Sequence, residues 1–305
     1  MLTDARRLAM LQVPSGPIDV VIDSDTYNEI DDQFAIAYAL QYPEKLRVQA
    51  IYAAPFLNHR STSPADGMER SYEEIRRLLT LMGRDVPYFR GAPAYLTDEG
   101  TPVVTPAAED LCRRAMEHTP EHPLYVVALG AITNVASALL LNPAIAGRVV
   151  IVFLGGHALD WPDSKEFNMM QDVAAARVVF ASGAPLVMLP CMGVVSAFST
   201  SGPELDHWLR GKNPLCDFLV QNTVDEVNTY AAGRVWSRAL WDVTAVAWLV
   251  NDDDRFMLSR LIPTPIPEYD HHYGTAPGNP LCRYVFHIHR DALFGDLFAR
   301  LAMHA

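Results

Sequence analysis

The feature that most constrains the fold is a regular alternation of short apolar runs with helical stretches through the first two thirds of the chain. The apolar runs are rich in Val, Ile and Leu and are nearly continuous. This pattern is typical of parallel strands that helices cover on both faces. We therefore expect an α/β fold with a mostly parallel central sheet. The main predicted strands lie at residues 18–25, 46–55, 124–130 and 149–156, with shorter ones at VPYFRG and APLVMLPC.

The pattern changes after about residue 200. Helical stretches dominate residues 205–250, and a Pro-rich segment, LIPTPIPEYD, follows them. A last strand, RYVFHIH, and a helix end the chain. Because no composition shift marks a linker, we predict a single domain over residues 1–305, with residues 1–16 as an N-terminal extension and a helical C-terminal portion.

Composition narrows the function. The chain has 305 residues, of which 50% are hydrophobic, and a formal net charge of −12. So much negative charge disfavours nucleic acid and anionic membranes as partners and suits a small neutral substrate. No apolar run reaches the roughly 18 residues of a membrane span. The four cysteines form no CxxC pair, which favours a reducing compartment and predicts a cytoplasmic location.

An acidic cluster follows the first predicted strand. Its five carboxylates, within ten residues of chain, belong to Asp23, Asp25, Glu29, Asp31 and Asp32. A helix N-terminus offsets only about 0.3–1 kcal/mol per exposed acid, so a bound cation with oxygen ligands is the natural inference. The alternative is that these acids are N-cap and turn residues on a solvated loop.

Four segments in order resemble the inosine-uridine preferring nucleoside hydrolase family. They are DSDTYNEIDD, VVALGAITNVASALLLNP, VFLGG with KEFNMMQDVAAARVVF, and LWDVTAVAWLV. The resemblance implies a Rossmann-like nucleoside hydrolase fold. It also implies metal-dependent hydrolysis of the N-glycosidic bond of ribonucleosides to free base and ribose.

The resemblance carries roles to individual residues. Asp25, Asp32, Asp242 and the main-chain carbonyl of Leu129 would bind one divalent cation, Ca²⁺ or alternatively Mg²⁺, and Asp25 would also be the general base. A second set would bind the nucleoside. That set comprises Asp31, Asn58, Glu166 and Asn168 at the ribose hydroxyls and Trp241 at the base. Family members commonly form oligomers, so a homodimer or homotetramer is expected.

This sequence departs from the family pattern in two places. The spacing between Asp25 and Asp31 is longer than usual and lacks the Pro-Gly turn, so Asn28 or Glu29 could enter the site. Trp241 stands where many members carry a His that assists the leaving base. Purine-preferring members share a Trp there, so we expect purine nucleosides as substrates. Tyr95, Phe56 and Trp161 are alternatives for the other side of a base stack.

Other hypotheses remain open from the sequence alone. A strand ending in Asp-x-Asp-x-Thr also resembles haloacid dehalogenase-like phosphatases, with Asp23 as nucleophile. A non-catalytic homologue that binds a nucleoside or sugar is another possibility. Asp242 could be only a helix N-cap, and Trp241 could be only a core residue.

Overall fold

The computed structural model describes residues 2–275 and 278–303 of the chain. Its strands, in chain order, are β1 (Ile18–Ser24), β2 (Leu46–Ala53), β3 (Tyr88–Arg90), β4 (Leu124–Ala128), β5 (Val149–Leu154), β6 (Leu186–Leu189), β7 (Ser199–Thr200), β8 (Arg238–Ala239), β9 (Met257–Pro263), β10 (Ile266–Pro267), β11 (Tyr273–Gly274) and β12 (Leu281–Ile288). Eight of these strands form the central sheet, in the order β3-β2-β1-β4-β5-β6-β12-β9.

The α-helices alternate with the strands through the first half of the chain. They are α1 (Asp4–Met10), α2 (Asp31–Leu40), α3 (Pro64–Leu81), α4 (Pro106–Met116), α5 (Thr133–Leu141), α6 (Phe167–Gln171), α7 (Val173–Ala181), α8 (Gly202–Trp208), α9 (Pro214–Ala231), α10 (Val243–Leu249) and α11 (Arg290–Ala302). The predicted α/β class with a mostly parallel sheet and a helix-rich C-terminal portion is confirmed.

The Pro-rich segment near residue 262 differs from the sequence expectation. We assigned LIPTPIPEYD no strand, but its first residues end β9, which pairs antiparallel with β12 at the edge of the sheet. The other pairings in the central sheet are parallel. Pro263 is tolerated because it is the last residue of an edge strand, where a missing N–H costs little.

Successive side chains of the central strands enter two different cores. In β4, Tyr125 and Val127 join the core that contains α2, α10 and α11, whereas Val126 joins the core formed with α4, α5 and α7. Both faces of the strand are therefore covered, which explains why the sequence shows continuous apolar runs rather than alternation.

The strand order places a binding crevice at one point of the sheet. Chain connections run outward from β1 through β2 to β3 in one direction and from β4 through β5 to β6 in the other. The crevice outside the carboxyl ends of such strands, where the direction reverses, is the usual ligand site of open α/β sheets. The acidic segment after β1 and the turn after β4 both lie at this point.

The N-terminal segment packs onto the domain. Met10 and Leu11 are buried in the core that contains α2, and Leu11 also accepts a hydrogen bond from the Arg283 side chain through its carbonyl oxygen. Within residues 2–275 and 278–303, every helix is too short or too polar to cross a membrane.

Two glycines within helices give a matched test of the packing. A Cβ on Gly67 of α3 would lie 2.0 Å from the carbonyl oxygen of Phe56, whereas one on Gly295 of α11 would meet nothing within 4 Å. We expect Gly67→Ala to destabilise the protein by about 1–3 kcal/mol because backbone must move. Gly295→Ala should be neutral or stabilise it by up to about 1 kcal/mol. Urea unfolding of both variants measures this, and equal effects would contradict the packing described.

Candidate active site

A cavity of about 220 Å³ opens at the carboxyl ends of β1, β4, β5 and β6. Six carboxylates line it, from Asp25, Glu29, Asp31, Asp32, Glu166 and Asp242. The rest of the wall includes Asn28, Leu129, Leu154, His157, Phe167, Asn168, Cys191, Met192 and Trp241. Eight of the nine predicted site residues therefore meet in one place, and the exception is Asn58.

Two of these carboxylates, from Asp31 and Asp32, belong to the first turn of α2. All ten residues of α2, including Asp31 and Asp32, are buried, so this helix lies inside the protein and cannot present its acids to solvent. Ser24 at the end of β1 donates a hydrogen bond from Oγ to Asp32 Oδ1 over 2.6 Å. The solvated-loop alternative for these acids is therefore wrong.

The turn after β4 forms a cradle for Asp25. A Cβ on Gly130 would lie 2.9 Å from Asp25 Cγ, so only glycine lets the carboxylate approach this turn. Asp25 is 1% exposed, and its Oδ2 has no hydrogen-bond partner among the described residues. The neighbouring Leu129 carbonyl accepts a hydrogen bond from Asn168 Nδ2 over 2.7 Å. A carbonyl has two lone pairs, so this oxygen can also bind a cation.

Three carboxylates are close enough to share a metal ion. Oxygens of Asp31, Asp32 and Asp242 all lie within 4.8 Å of one another. Asp242 occupies the N-cap position of α10, yet its side chain makes no capping hydrogen bond, so the N-cap alternative does not explain it. Its backbone N–H donates to Asp31 Oδ2 over 3.2 Å.

The residues present fit a hard divalent cation. The donors are carboxylate and carbonyl oxygens, which Ca²⁺ and Mg²⁺ prefer. One buried oxygen each of Asp25 and Asp31 lacks a hydrogen-bond partner among the described residues, so its lone pairs are available to bind a cation. The close triad contains Asp31 where the resemblance assigned Asp25. Asp25 lies on the same cavity wall, so the predicted ligand set stays a prediction.

The carboxylates shift one another's proton affinity. Burial, followed by repulsion from neighbouring acids, raises the pKa of Asp25, Asp31 and Asp242 well above the ordinary value. Burial also raises the pKa of Asp32 to about 6, against the hydrogen bond from Ser24 that lowers it. A cluster that resists ionisation this strongly can be fully ionised at neutral pH only with positive charge nearby.

Glu166 and Asn168 lie at the N-terminal end of α6 and line the cavity. Glu166 caps this helix: Oε1 accepts from the Asn168 N–H, and Oε2 accepts from the N–H groups of Gly156 and Met169. Burial raises its pKa to about 7 even though these hydrogen bonds lower it. The Asn168 side chain also donates to the Leu154 carbonyl over 3.1 Å. Glu166 is thus both a cap and a cavity residue.

Trp241 is half-buried, with one side against the core and the other on the cavity. Asn58 does not line the cavity. Its Nδ2 donates a hydrogen bond over 2.6 Å to Oδ1 of Asn28, and Asn28 lines the cavity.

The three residues considered for the other side of a base stack lie outside the cavity wall. Phe56 is fully buried and unavailable for stacking. Trp161 packs edge-on against the ring of His157, and the Tyr95 hydroxyl hydrogen-bonds Gln171.

The sequence analysis does not assign Cys191, Met192 or His157 to the site, although all three line the cavity. Cys191 and Met192 follow the end of β6 after Pro190, so the rule that ligands bind at strand carboxyl ends could have found them. Asp23 is fully buried, and its Oδ1 accepts a hydrogen bond from Asn134 over 2.7 Å. It is not part of the cavity wall, which removes the geometric basis for a phosphatase nucleophile.

The sequence profile of the inosine-uridine preferring nucleoside hydrolase family matches residues 20–279. The chain belongs to this family. The hydrolase is 26% identical, over an alignment of 326 residues, to the pyrimidine-specific ribonucleoside hydrolase RihA of Klebsiella pneumoniae, covering 94% of this chain and 99% of that one.

Solved structures share the fold of the hydrolase at lower identity. A purine-preferring ribonucleoside hydrolase from Gardnerella vaginalis superposes with a TM-score of 0.75 at 20% identity, over 93% of this chain and 98% of that one. A plant nucleoside hydrolase gives the same TM-score and identity, over 94% and 99% of the two chains.

The raised pKa values predict how the hydrolase responds to pH when a chelator removes divalent cations. The folded-state pKa values of Asp23, Asp32 and Glu166 are about 7, 6 and 7, above the unfolded values of about 4. Their contribution to stability is complete below about pH 4 and is lost as the pH rises through 6–7.

Chelated protein should therefore melt at a lower temperature at pH 8 than at pH 5. Added Ca²⁺ should restore the melting temperature at pH 8, because ligands that bind only the folded state stabilise it. Glu166→Gln removes one titrating group and should reduce the pH dependence. A melting temperature insensitive to both pH and Ca²⁺ would contradict the electrostatics of the site.

Proposed function

We propose that this hydrolase cleaves the N-glycosidic bond of ribonucleosides in a metal-dependent reaction, with a preference for purine nucleosides. The observation that carries the proposal is the convergence of Asp25, Asp31, Asp32 and Asp242 on one cavity that Trp241 also lines. A cavity walled by carboxylates and one indole suits a neutral ligand that has hydroxyl donors at one end and an aromatic ring at the other.

A cation would be held by Asp25, Asp32, Asp242 and the Leu129 carbonyl, with Ca²⁺ the proposed ion. When bound, it would supply a Lewis acid that orients a water molecule and the ribose diol. Asp31 and Asn168 are proposed to accept and donate hydrogen bonds at the same hydroxyls, and Glu166 to bind the 5′-hydroxyl. Asn58 would act on the ribose through Asn28, whose side chain it holds.

Asp25 is the proposed general base. It takes a proton from the attacking water, whose oxygen forms the new bond to C1′. The C1′–N bond breaks, and its electron pair leaves with the base, which takes up a proton from solvent. Positive charge builds on the sugar in such reactions, and the surrounding carboxylates stabilise it electrostatically. Trp241 would stack on the leaving base.

From the family resemblance we infer a homodimer or homotetramer, which sedimentation analysis of the purified protein would reveal. From the cysteine pattern we infer a cytoplasmic location.

The central test is a nucleoside panel assayed with added Ca²⁺ and with chelator. Free base and ribose should appear with Ca²⁺ and without phosphate, and chelator should abolish the release. Asp25→Asn should lower kcat roughly 10²–10⁴-fold, the usual contribution of a general base. The matched control is Asp206→Asn, an exposed carboxylate on α8 that pairs with Arg210.

The proposal fails if the wild-type protein releases neither sugar nor base from any nucleoside. Calorimetry then separates a non-catalytic homologue, which would bind a nucleoside without turnover, from a protein that does not bind nucleosides.

Base preference is a separate prediction because the similar RihA proteins are named pyrimidine-specific. If Trp241 stacks on a purine, Trp241→Ala should lower kcat/KM for inosine by about 10–100-fold, since stacking on an aromatic contributes about 1–3 kcal/mol per base. The loss on uridine should be smaller. Trp208→Ala, which removes an exposed indole on α8, is the control. Faster turnover of uridine than of inosine by the wild type would reverse the preference and leave the hydrolase assignment intact.

A further inference from the structure

The long connection between Asp25 and Asp31 folds over the cavity instead of bulging into solvent. The Asn28 N–H donates to the Asp25 carbonyl over 2.6 Å, which closes a turn at the end of β1. Both Asn28 and Glu29 then line the cavity. The residues that distinguish this sequence from the family pattern therefore form part of the wall of the site.

The guanidinium of Arg238 contacts the connection between Asp25 and Asp31. Arg238 lies on β8, and its side chain is 13% exposed. Its Nη2 forms an ion pair with Glu29, and it lies 3.7 Å from Asp31 Oδ1 and 3.9 Å from Glu226 Oε1 on α9. One largely buried positive charge is thus shared among three carboxylates, two from the segment before and at the start of α2 and one from α9.

The surroundings keep Arg238 charged. Burial alone would lower the pKa of its guanidinium, but attraction to Glu29, Asp31 and Glu226 outweighs burial and raises the pKa above its ordinary value. A buried cation of this kind persists only when its partners stay in place. The Arg238 side chain is 13% exposed and the Glu29 side chain is 37% exposed, so the pair is partly buried and solvent screens it less than a fully exposed pair, which would be worth little.

The contact between Arg238 and Glu29 bears on the site because Arg238 is close in sequence to two residues that line the cavity. Arg238 precedes Trp241 by three residues and Asp242 by four. The same segment contacts Asp31 at both oxygens: Oδ2 accepts a hydrogen bond from the Asp242 N–H over 3.2 Å, and Oδ1 lies 3.7 Å from Arg238 Nη2, too far for a hydrogen bond. The Asp242 amide therefore holds one oxygen of Asp31 against residues 238–242, and the charge of Arg238 attracts the other.

We propose that the Glu29–Arg238 ion pair ties residues 26–30 to residues 238–242, and that Arg238 is a positioning residue for Asp31. The part of this proposal that concerns catalysis rests on the proposed function, in which Asp31 binds the ribose hydroxyls. Without the guanidinium, Glu29 and Asp31 repel each other and the neighbouring acids, so the connection moves away and Asp31 loses its orientation. A misplacement of about 1 Å in a site of this kind costs on the order of 100-fold in rate.

The test is a double-mutant cycle with Glu29→Gln, Arg238→Met and the double variant, together with Arg238→Lys. Kinetics use the nucleoside that the wild type hydrolyses fastest. Each single variant should lower kcat/KM at least about tenfold, and the double variant should be no more than about threefold below the worse single variant, because both remove the same tie. Arg238→Lys, which keeps the charge, should recover part of the loss.

Arg234→Met is the matched control, because it makes the same change at an exposed residue four positions earlier. It should leave kcat/KM unchanged. Losses in the two single variants that multiply in the double variant would overturn the proposal. Equal kinetics for Arg238→Met and Arg234→Met would overturn it too.

A second readout separates this proposal from the proposed function. Urea unfolding of the wild type, the two single variants and the double variant should show a coupling of about tenfold in the unfolding equilibrium constant, a size typical of two groups in direct contact. If the wild type hydrolyses no nucleoside, the proposed function fails while this cycle still tests the tie. Unfolding effects that are independent at the two positions would refute it.

Discussion

Six carboxylates around one small cavity repel each other, and much of the local structure offsets that repulsion. The N-terminus of α2 directs its dipole at Asp31 and Asp32. Backbone N–H groups satisfy Glu166, and the Arg238 guanidinium neutralises the rim where Glu29 lies. What remains is concentrated on Asp25, Asp31, Asp32 and Asp242, where the proposed divalent cation would supply the missing positive charge. In the proposed reaction, the same excess of negative charge that makes the site costly for folding would favour a sugar that becomes positively charged.

The sequence predicts the sheet and most of the site well because both depend on local patterns. Buried parallel strands are continuous apolar runs, and ligand-binding residues follow their carboxyl ends. The position of Asp25 after β1 follows from this rule, whereas Leu129 and Glu166 are indicated by the family resemblance, and all three line one cavity. The strand ends were placed within a residue or two, because a strand stops pairing before its apolar run stops.

What the sequence could not predict depends on contacts between distant segments. Glu29 and Arg238 are 209 positions apart, and Arg238 belongs to no motif, so nothing local indicates their pairing. Asn58 lies behind Asn28 because the connection before α2 is longer than in the family pattern, and alignment of a single residue cannot detect such a displacement. The sequence does not predict the edge strand β9 because the Pro-rich segment that begins at its end masks the strand signal, although an edge strand tolerates Pro263 as its last residue.

The complete burial of α2 has a consequence for how the site can adapt to ligands of different size. Asp31 and Asp32 begin a helix that is enclosed on all sides, so a shift of these acids would require repacking of the interior. Tight packing of that kind resists small displacements. Under the proposed function, accommodation of a larger or smaller nucleobase would therefore fall to the half-buried Trp241 on the opposite part of the cavity wall. The hydrolase would then combine a rigid part that binds the sugar with an adjustable part that contacts the base, and sequence change at the second part would alter selectivity without disturbing the first.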